Sequence, residues 1–326
     1  MVSYLKSSSY LNNANLLQTL DNATSKIPPG IPYCPVENHP YKFHEEPKEC
    51  HRHKCHKNRC HKAHCHARHS KREEPTNLSV PEQNHQLVKS GLYYVEREHI
   101  ATVYDMNHNY IESVMKTPIR CSTPINVTIY SPTKAAILAH QKNEIDQICI
   151  LNFADSITPG DGYRKGQFSR EAKLCRESLL YPTLDGNRMY YENRVHGKAA
   201  EASDIMIFSP DVYLLRDDFD NPLPKPFKLH LISSPPSDGF KVLKSLEIME
   251  TRIRKIIRLA SYKKIDVLIL GAFGCGAFRN EPKPIARIFR KVLVDEGLKD
   301  QFKSVVFSIN DECSIRYAFQ DVFPQN

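Results

Sequence analysis

The chain has 326 residues, 40% of them hydrophobic, enough to bury one large core or two small ones. Its net charge of +8 is uneven: from Cys50 to Arg72 there are eight Lys or Arg and no Asp or Glu, which makes polyanions natural partners. It lacks a run of 18 apolar residues, its first residues lack the basic start and apolar stretch of a secretory signal, and its ten cysteines form no disulfide framework, so a soluble intracellular protein, nuclear or cytoplasmic and without membrane contact, is expected.

Residues 1–86 read as a disordered N-terminal region. Pro28, Pro29, Pro32, Pro35, Pro40 and Pro47 interrupt the first part, which has no long apolar run. A basic tract over 50–72 then repeats Cys-His every five residues, at Cys50-His51, Cys55-His56, Cys60-His61 and Cys65-His66. Thiolate and imidazole suit zinc or copper, and the tract has more ligands than one tetrahedral site needs. The spacing fits no standard zinc finger, and no apolar residues accompany it. A metal-binding arm and a solvated basic tract both remain open readings. A polar linker follows, to about Gln86.

From Leu87 onward helical and strand signals alternate. Val95 to Met115 reads as helix, first around REHIATVYDM; INVTIYS (125–131) reads as a strand and PTKAAILAHQK as a helix. QICILNFA (147–154) is a buried strand by its continuous apolar run, and further strands are expected at 204–210, 228–234, 266–273 and 304–309. The longest helix is expected from Phe240 to about Tyr262, with Leu246, Met249, Ile253, Ile256 and Ile257 on one face. Another follows Asn280 and carries Ile285, Ile288, Phe289 and Val292. Strands separated by helices in this way predict an α/β fold, a mixed sheet between helices, over 87–326.

In such sheets ligands sit beyond the carboxyl ends of strands, at loops that lead into helices. Two of these junctions are glycine-rich: Pro159-Gly160-Asp161-Gly162, ahead of a helix expected near Gln167, and Gly271 to Phe278. Bare glycine lets a phosphate or ribose approach backbone N–H groups. Neither loop is a Walker loop or a dinucleotide fingerprint, and each alone is equally readable as a structural turn.

Together, NFADSITPGDGYRKGQFSREAKLCRESLLY, FSPDVYLLRDD, LISSPP and LILGAFGCGAFRNEPKPIARIF resemble the microbial-type poly(ADP-ribose) glycohydrolases, a branch of the macro domain superfamily, from about Leu87 to Phe323. The resemblance implies a macro domain with ADP-ribose along the crest of its sheet, partners that are ADP-ribose, its polymer or ADP-ribosylated proteins, and no cofactor. It makes Gly160, Asp161 and Gly162 the loop for the diphosphate and distal ribose, and Gly274, Cys275, Gly276, Ala277 and Phe278 the second phosphate loop, with Phe278 against the distal ribose. Asn152 matches the asparagine that ends the preceding strand. Cys275 reads as a packing residue, having no evident base beside it.

The family motif is Gly-Gly-Gly, a short spacer, then Gln-Glu-Glu ahead of Leu-Cys-Arg. Here the triple glycine is Gly160-Asp161-Gly162, and Arg170-Glu171-Ala172 stands at Gln-Glu-Glu, fixed in register by Leu174-Cys175-Arg176. The family's general acid falls on Ala172, and a methyl group transfers no proton. Glu171 matches the first glutamate; on a helix it aims about 100° away from position 172. Glu177 reads as a solvated helix residue. Binding of ADP-ribose or poly(ADP-ribose) with little or no hydrolysis is the expected function. An active glycohydrolase using Glu171, and a scaffold whose active part is the His/Cys arm, are the alternatives.

Overall fold

The computed structural model describes residues 79–91, 93, 101–103, 122–143, 147–310 and 313–324. The chain divides into Met1–Pro75, outside the described residues, and a compact unit Thr76–Asn326. That unit is built on a seven-stranded sheet: β1 (Ala101–Val103), β2 (Ile125–Thr128), β3 (Ile148–Phe153), β4 (Met206–Arg216), β5 (Pro222–Ser234), β6 (Val267–Leu270) and β7 (Ser304–Ser308), in the order β1-β4-β5-β3-β6-β7-β2. Neighbours from β5 through β3, β6 and β7 to β2 are parallel, while β4 runs antiparallel to β5 and β1 antiparallel to β4. The sheet is therefore mixed, and the carboxyl ends of five adjacent strands meet at one edge.

Period-two alternation decides which side chain serves which face. Cys149, Leu151, Leu268 and Leu270 point into one core; Ile148, Ile150, Val267 and Ile269 point into the other. The first core is closed by α6 (Ser245–Tyr262), α7 (Pro282–Arg290) and α8 (Cys313–Val322), through Ile253, Ile257, Ile285, Phe289 and Phe319. On the opposite face, α2 (Pro132–Asn143), α3 (Arg170–Glu177), α4 (Tyr181–Leu184) and α5 (Arg188–Val195) contribute Ala136, Cys175, Leu184 and Met189. With both faces covered, β3 and β6 are buried along almost their whole length.

Several expectations are corrected. Ala101–Val103, placed inside a helix by its apolar spacing, is a strand: the open edge of β4 at 206–208 supplies backbone partners, and Thr102 and Val103 are β-branched. The remainder of 95–115 is outside the described residues, apart from Ala101–Val103. The linker to Gln86 is in part helix, because α1 (Ser79–Lys89) runs across the boundary expected at 86/87. Its buried positions are Val80 and Asn84, and Asn84 donates to Tyr163 Oη (3.2 Å) and to the carbonyls of Cys175 (3.1 Å) and Arg176 (3.3 Å). The helix predicted from Phe240 begins at Ser245, and Leu246 is 44% exposed, off the buried face. The five residues before α6 are held instead as a turn, in which Asp238 Oδ1 accepts from the N–H of Phe240 and Lys241.

One buried cation ties α6 to an irregular segment. Arg252, 1% exposed, donates to the carbonyls of Pro235 (2.9 Å), Glu201 (2.7 Å) and Ala202 (3.0 Å) and pairs with Asp204 (3.0 Å). The same segment accepts from Ser156 Oγ at Ala199 O and from Asp238 N at Ala200 O, both at 2.8 Å.

Candidate active site

The loop after β3 takes its shape from local chemistry. Asp155 Oδ1 accepts from the N–H of Ile157 (2.9 Å) and Thr158 (2.5 Å), which folds the chain back before Pro159. Gly160, Asp161 and Gly162 then all have positive φ, +69°, +40° and +79°. Glycine is needed at the first of these: a Cβ there would lie 2.7 Å from Tyr181 Cδ2. Asp161 takes the same conformation with a side chain and carries strain that glycine would not. Beneath the loop, Tyr163 is buried and held by Asn84 from α1.

Helix α3 begins at Arg170, later than expected, because Ser169 is its N-cap and accepts from Ala172 N at 3.1 Å. Its first turn points Glu171 inward. Glu171 is 1% exposed, with Oε1 accepting from Asn152 Nδ2 and Tyr190 Oη (both 2.9 Å) and Oε2 accepting from Asp155 N (3.0 Å). Burial raises its pKa to about 8 in spite of these three donors, toward the neutral form. Asn152 also donates to Ser233 Oγ at 3.0 Å, and its Oδ1 is buried with no partner among the described residues. Ala172 is wholly buried in the second core.

Glu177 is not solvated. It is 1% exposed, accepts from Thr133 Oγ1 and pairs with Lys173 at 2.8 Å; burial raises its pKa to about 7. It lies on the floor of a cavity of about 210 Å³ at the carboxyl ends of β3, β6 and β7, whose walls include Phe153, Phe168, Arg170, Lys173, Gly271 and Asn310.

The second loop leaves β6, the parallel neighbour of β3, so both glycine-rich loops emerge from adjacent strands at the same edge. Gly274 has φ +77°, and a Cβ there would meet Asn280 Nδ2 at 2.7 Å and Pro236 Cβ at 3.0 Å. Asn280 organises the turn by donating to the carbonyls of Ser237 (2.7 Å) and Gly274 (3.1 Å). Cys275 is buried; burial pushes its thiol up to about 12 against the opposing pull of the nearby Arg170 guanidinium, which makes it inert at neutral pH. Gly276 and Ala277 are exposed and Phe278 is half-buried. Arg279, at φ +55°, pairs with Asp238 at 2.8 Å and lies over the Phe240 ring.

The structure therefore brings Asn152 and Glu171 into direct contact and sets the two loops on neighbouring strands. Tyr190 and Ser233 were missed, since each joins the site from a distant element with no local motif. The Cys and His residues from Cys50 to His66 are outside the described residues. Among the described residues no group of three His, Cys, Asp or Glu could hold a metal ion, and no helix is long and apolar enough to cross a membrane.

A family model described as "Microbial-type PARG, catalytic domain" matches residues 62–217, a span that includes the first loop, Asn152 and α3. Over that span the chain is similar to the catalytic domain of microbial-type poly(ADP-ribose) glycohydrolase (PARG). Its sheet and helices superimpose on the PARG of Thermomonospora curvata with a TM-score of 0.67 and 25% identity, over 76% of this chain and 98% of that one. A structure of the Deinococcus radiodurans PARG in complex with ADP-ribose matches with a TM-score of 0.63 and 27% identity, over 70% of this chain and 95% of that one. The T. curvata enzyme bound to the inhibitor ADP-HPD matches at 0.64 and 25%, again over 76% and 98%. No curated protein matches. The second loop, 271–278, lies beyond the residues that the family model matches.

Proposed function

We propose that this chain binds ADP-ribose, as the free nucleotide, as polymer or on modified proteins, across the two loops after β3 and β6, and hydrolyses it slowly or not at all. The observation that carries this reading is the first turn of α3. The methyl of Ala172 is sealed in the core, and Glu171, the carboxyl next to it, is 1% exposed with both oxygens engaged. Nothing at position 172 can protonate a leaving ribose oxygen, and loss of a general acid removes about 10²- to 10⁴-fold of rate. The D. radiodurans relative was solved with ADP-ribose, which supports the choice of ligand. In this reading the loop backbone holds the diphosphate and Phe278 faces the distal ribose. The basic tract 50–72 adds a salt-dependent attraction for polyanions, polymer or nucleic acid. Calorimetric titration with ADP-ribose, beside an assay for its release from modified protein, tests the proposal: binding without release is expected, and a folded protein that gives no heat refutes it.

A second reading is favoured by the pKa of Glu171. Burial moves this carboxyl toward the protonated state that a general acid requires. Release of ADP-ribose that Glu171→Gln abolishes would establish this reading, and release unaffected by that change would remove it.

A further inference from the structure

We infer that the turn between β5 and α6 is a platform for the second unit of poly(ADP-ribose), the one next to a bound terminal unit, with the adenine of that second unit stacked on Phe240; the inference rests on the ADP-ribose reading above and narrows its ligand to the polymer. The turn is pressed onto the second loop. Gly239 N donates to Phe278 O at 2.7 Å, and a Cβ on Gly239 would stand 2.8 Å from Asn280 Oδ1 and 2.9 Å from Arg279 O, so the close approach needs bare backbone. Phe240 follows directly and is 79% exposed, yet it is firmly placed. Its N–H donates to Asp238 Oδ1 at 2.9 Å, and the Arg279 guanidinium, bonded to both oxygens of Asp238, lies 4.7 Å from the ring centroid. Leu243, on the same turn, is wholly exposed. Apolar surface that is held rigidly in solvent marks a place where something binds.

The chemistry of the polymer says what would meet this ring. In poly(ADP-ribose) the anomeric carbon of each distal ribose is joined to the 2′-oxygen of the neighbouring adenosine. The second unit therefore leaves a bound terminal unit at its distal ribose, presenting an adenosine first and a diphosphate after it. In the reading above Phe278 faces that ribose, and Phe240 is separated from Phe278 by one residue and one hydrogen bond, through Gly239. A purine stacks on an exposed aromatic ring, and an arginine against the same ring adds to the attraction. Cations for the diphosphate that follows stand close by. Lys241 is exposed next to Phe240, and Lys198 is exposed two residues from the Ala200 carbonyl, which accepts from Asp238 N at 2.8 Å. The acids of the turn and the helix start, Asp238 and Glu247, are balanced by Arg279 at 2.8 Å and Lys244 at 3.8 Å. An aromatic ring flanked by lysines suits a ligand that alternates bases with phosphates.

The test is calorimetry on the full chain, wild type against Phe240→Ala, Phe240→Tyr and Lys241→Gln, with ADP-ribose, its dimer and a short oligoadenylate as probes at low and high salt. Wild type is expected to bind the dimer more tightly than the monomer. Phe240→Ala should weaken the dimer by roughly 5- to 100-fold and leave the monomer within about twofold, while Phe240→Tyr, which keeps a stacking face, should hold most of the dimer affinity. Lys241→Gln should lower the salt dependence of dimer binding by the equivalent of about one released ion and leave that of the monomer alone. Both side chains are exposed, and the melting temperature checks that the variants stay folded. Wild type that binds monomer and dimer equally would overturn this inference alone, as would a dimer preference that survives Phe240→Ala. An equal loss for the monomer would overturn it by showing that the ring serves the second loop. Oligoadenylate that binds as tightly as the dimer, with the same dependence on Phe240, would overturn it in favour of a nucleic-acid platform. Wild type that binds neither ADP-ribose nor its dimer would overturn both the inference and the reading beneath it.

Discussion

Replacing Glu171 with glutamine should change how stability depends on pH. In the folded chain burial raises this carboxyl to about 8, against an ordinary value of 4.5. Between those two values the folded state keeps a proton that the unfolded chain has lost, so stability falls as pH rises. The contribution is fully present below the unfolded value and is lost as pH climbs through the folded one. At ~1.4 kcal/mol per pH unit, the gap corresponds to about 5 kcal/mol, undiscounted because the group is wholly buried. Glutamine has the same shape and does not titrate. Urea unfolding of wild type and Glu171→Gln, from about pH 5 to about pH 9, gives the comparison, and the difference between the two curves cancels the parallel titration of Glu177. The difference should drift by several kcal/mol in favour of glutamine toward high pH. Curves that stay parallel would show that Glu171 is ionised in the fold, and the case for a neutral, engaged carboxyl at this site would fail.

Other substitutions probe the loop and its support. Asp161→Gly removes a side chain from a residue at φ +40°, and thermal melting should show a gain of about 0.5–1 kcal/mol together with somewhat tighter ADP-ribose binding. Gly160→Ala puts a Cβ 2.7 Å from Tyr181 at positive φ; it should cost about 1–3 kcal/mol and at least about tenfold in affinity by calorimetry. Asn84→Ala strips the donor from Tyr163 Oη and two carbonyls of α3, with an expected loss of about 2 kcal/mol in urea and faster amide exchange over 158–166.

Strands buried on both faces were the most legible part of the fold. ICILNF and VLIL are continuous apolar runs because both faces of the sheet are covered, and that pattern survives without knowledge of neighbours. The β4–β5 hairpin was read too short, since Pro210, Pro222, Pro224 and Pro226 look like breakers. Pro210 sits at a bulge beside Asp211, and the other three lie in the part of β5 that extends past its pairing with β3, where a missing N–H costs little. The start of α1 was hidden because a polar residue, Asn84, occupies one of its two buried positions. At the site, the glycines announced the loop and the register located Ala172. What the residues could not disclose is that Glu171 turns inward and is capped by Tyr190, 19 positions away, or that Glu177 finds Thr133 and leaves solvent. Both outcomes depend on contacts between elements, for which local spacing holds no signal.

The Arg252 bracket has a mechanical meaning. Segment 198–204 touches Ser156, just after β3, through Ala199, and touches Asp238, just after β5, through Ala200. Asp238 in turn grips Arg279 at the foot of the second loop. Because one guanidinium on α6 fastens that segment at three points, Glu201, Ala202 and Asp204, and holds Pro235 besides, the helix, the irregular strip and the chain at the ends of β3 and β5 share one hydrogen-bonded network. Loss of the Arg252 guanidinium is therefore expected to loosen the starts of both loops together.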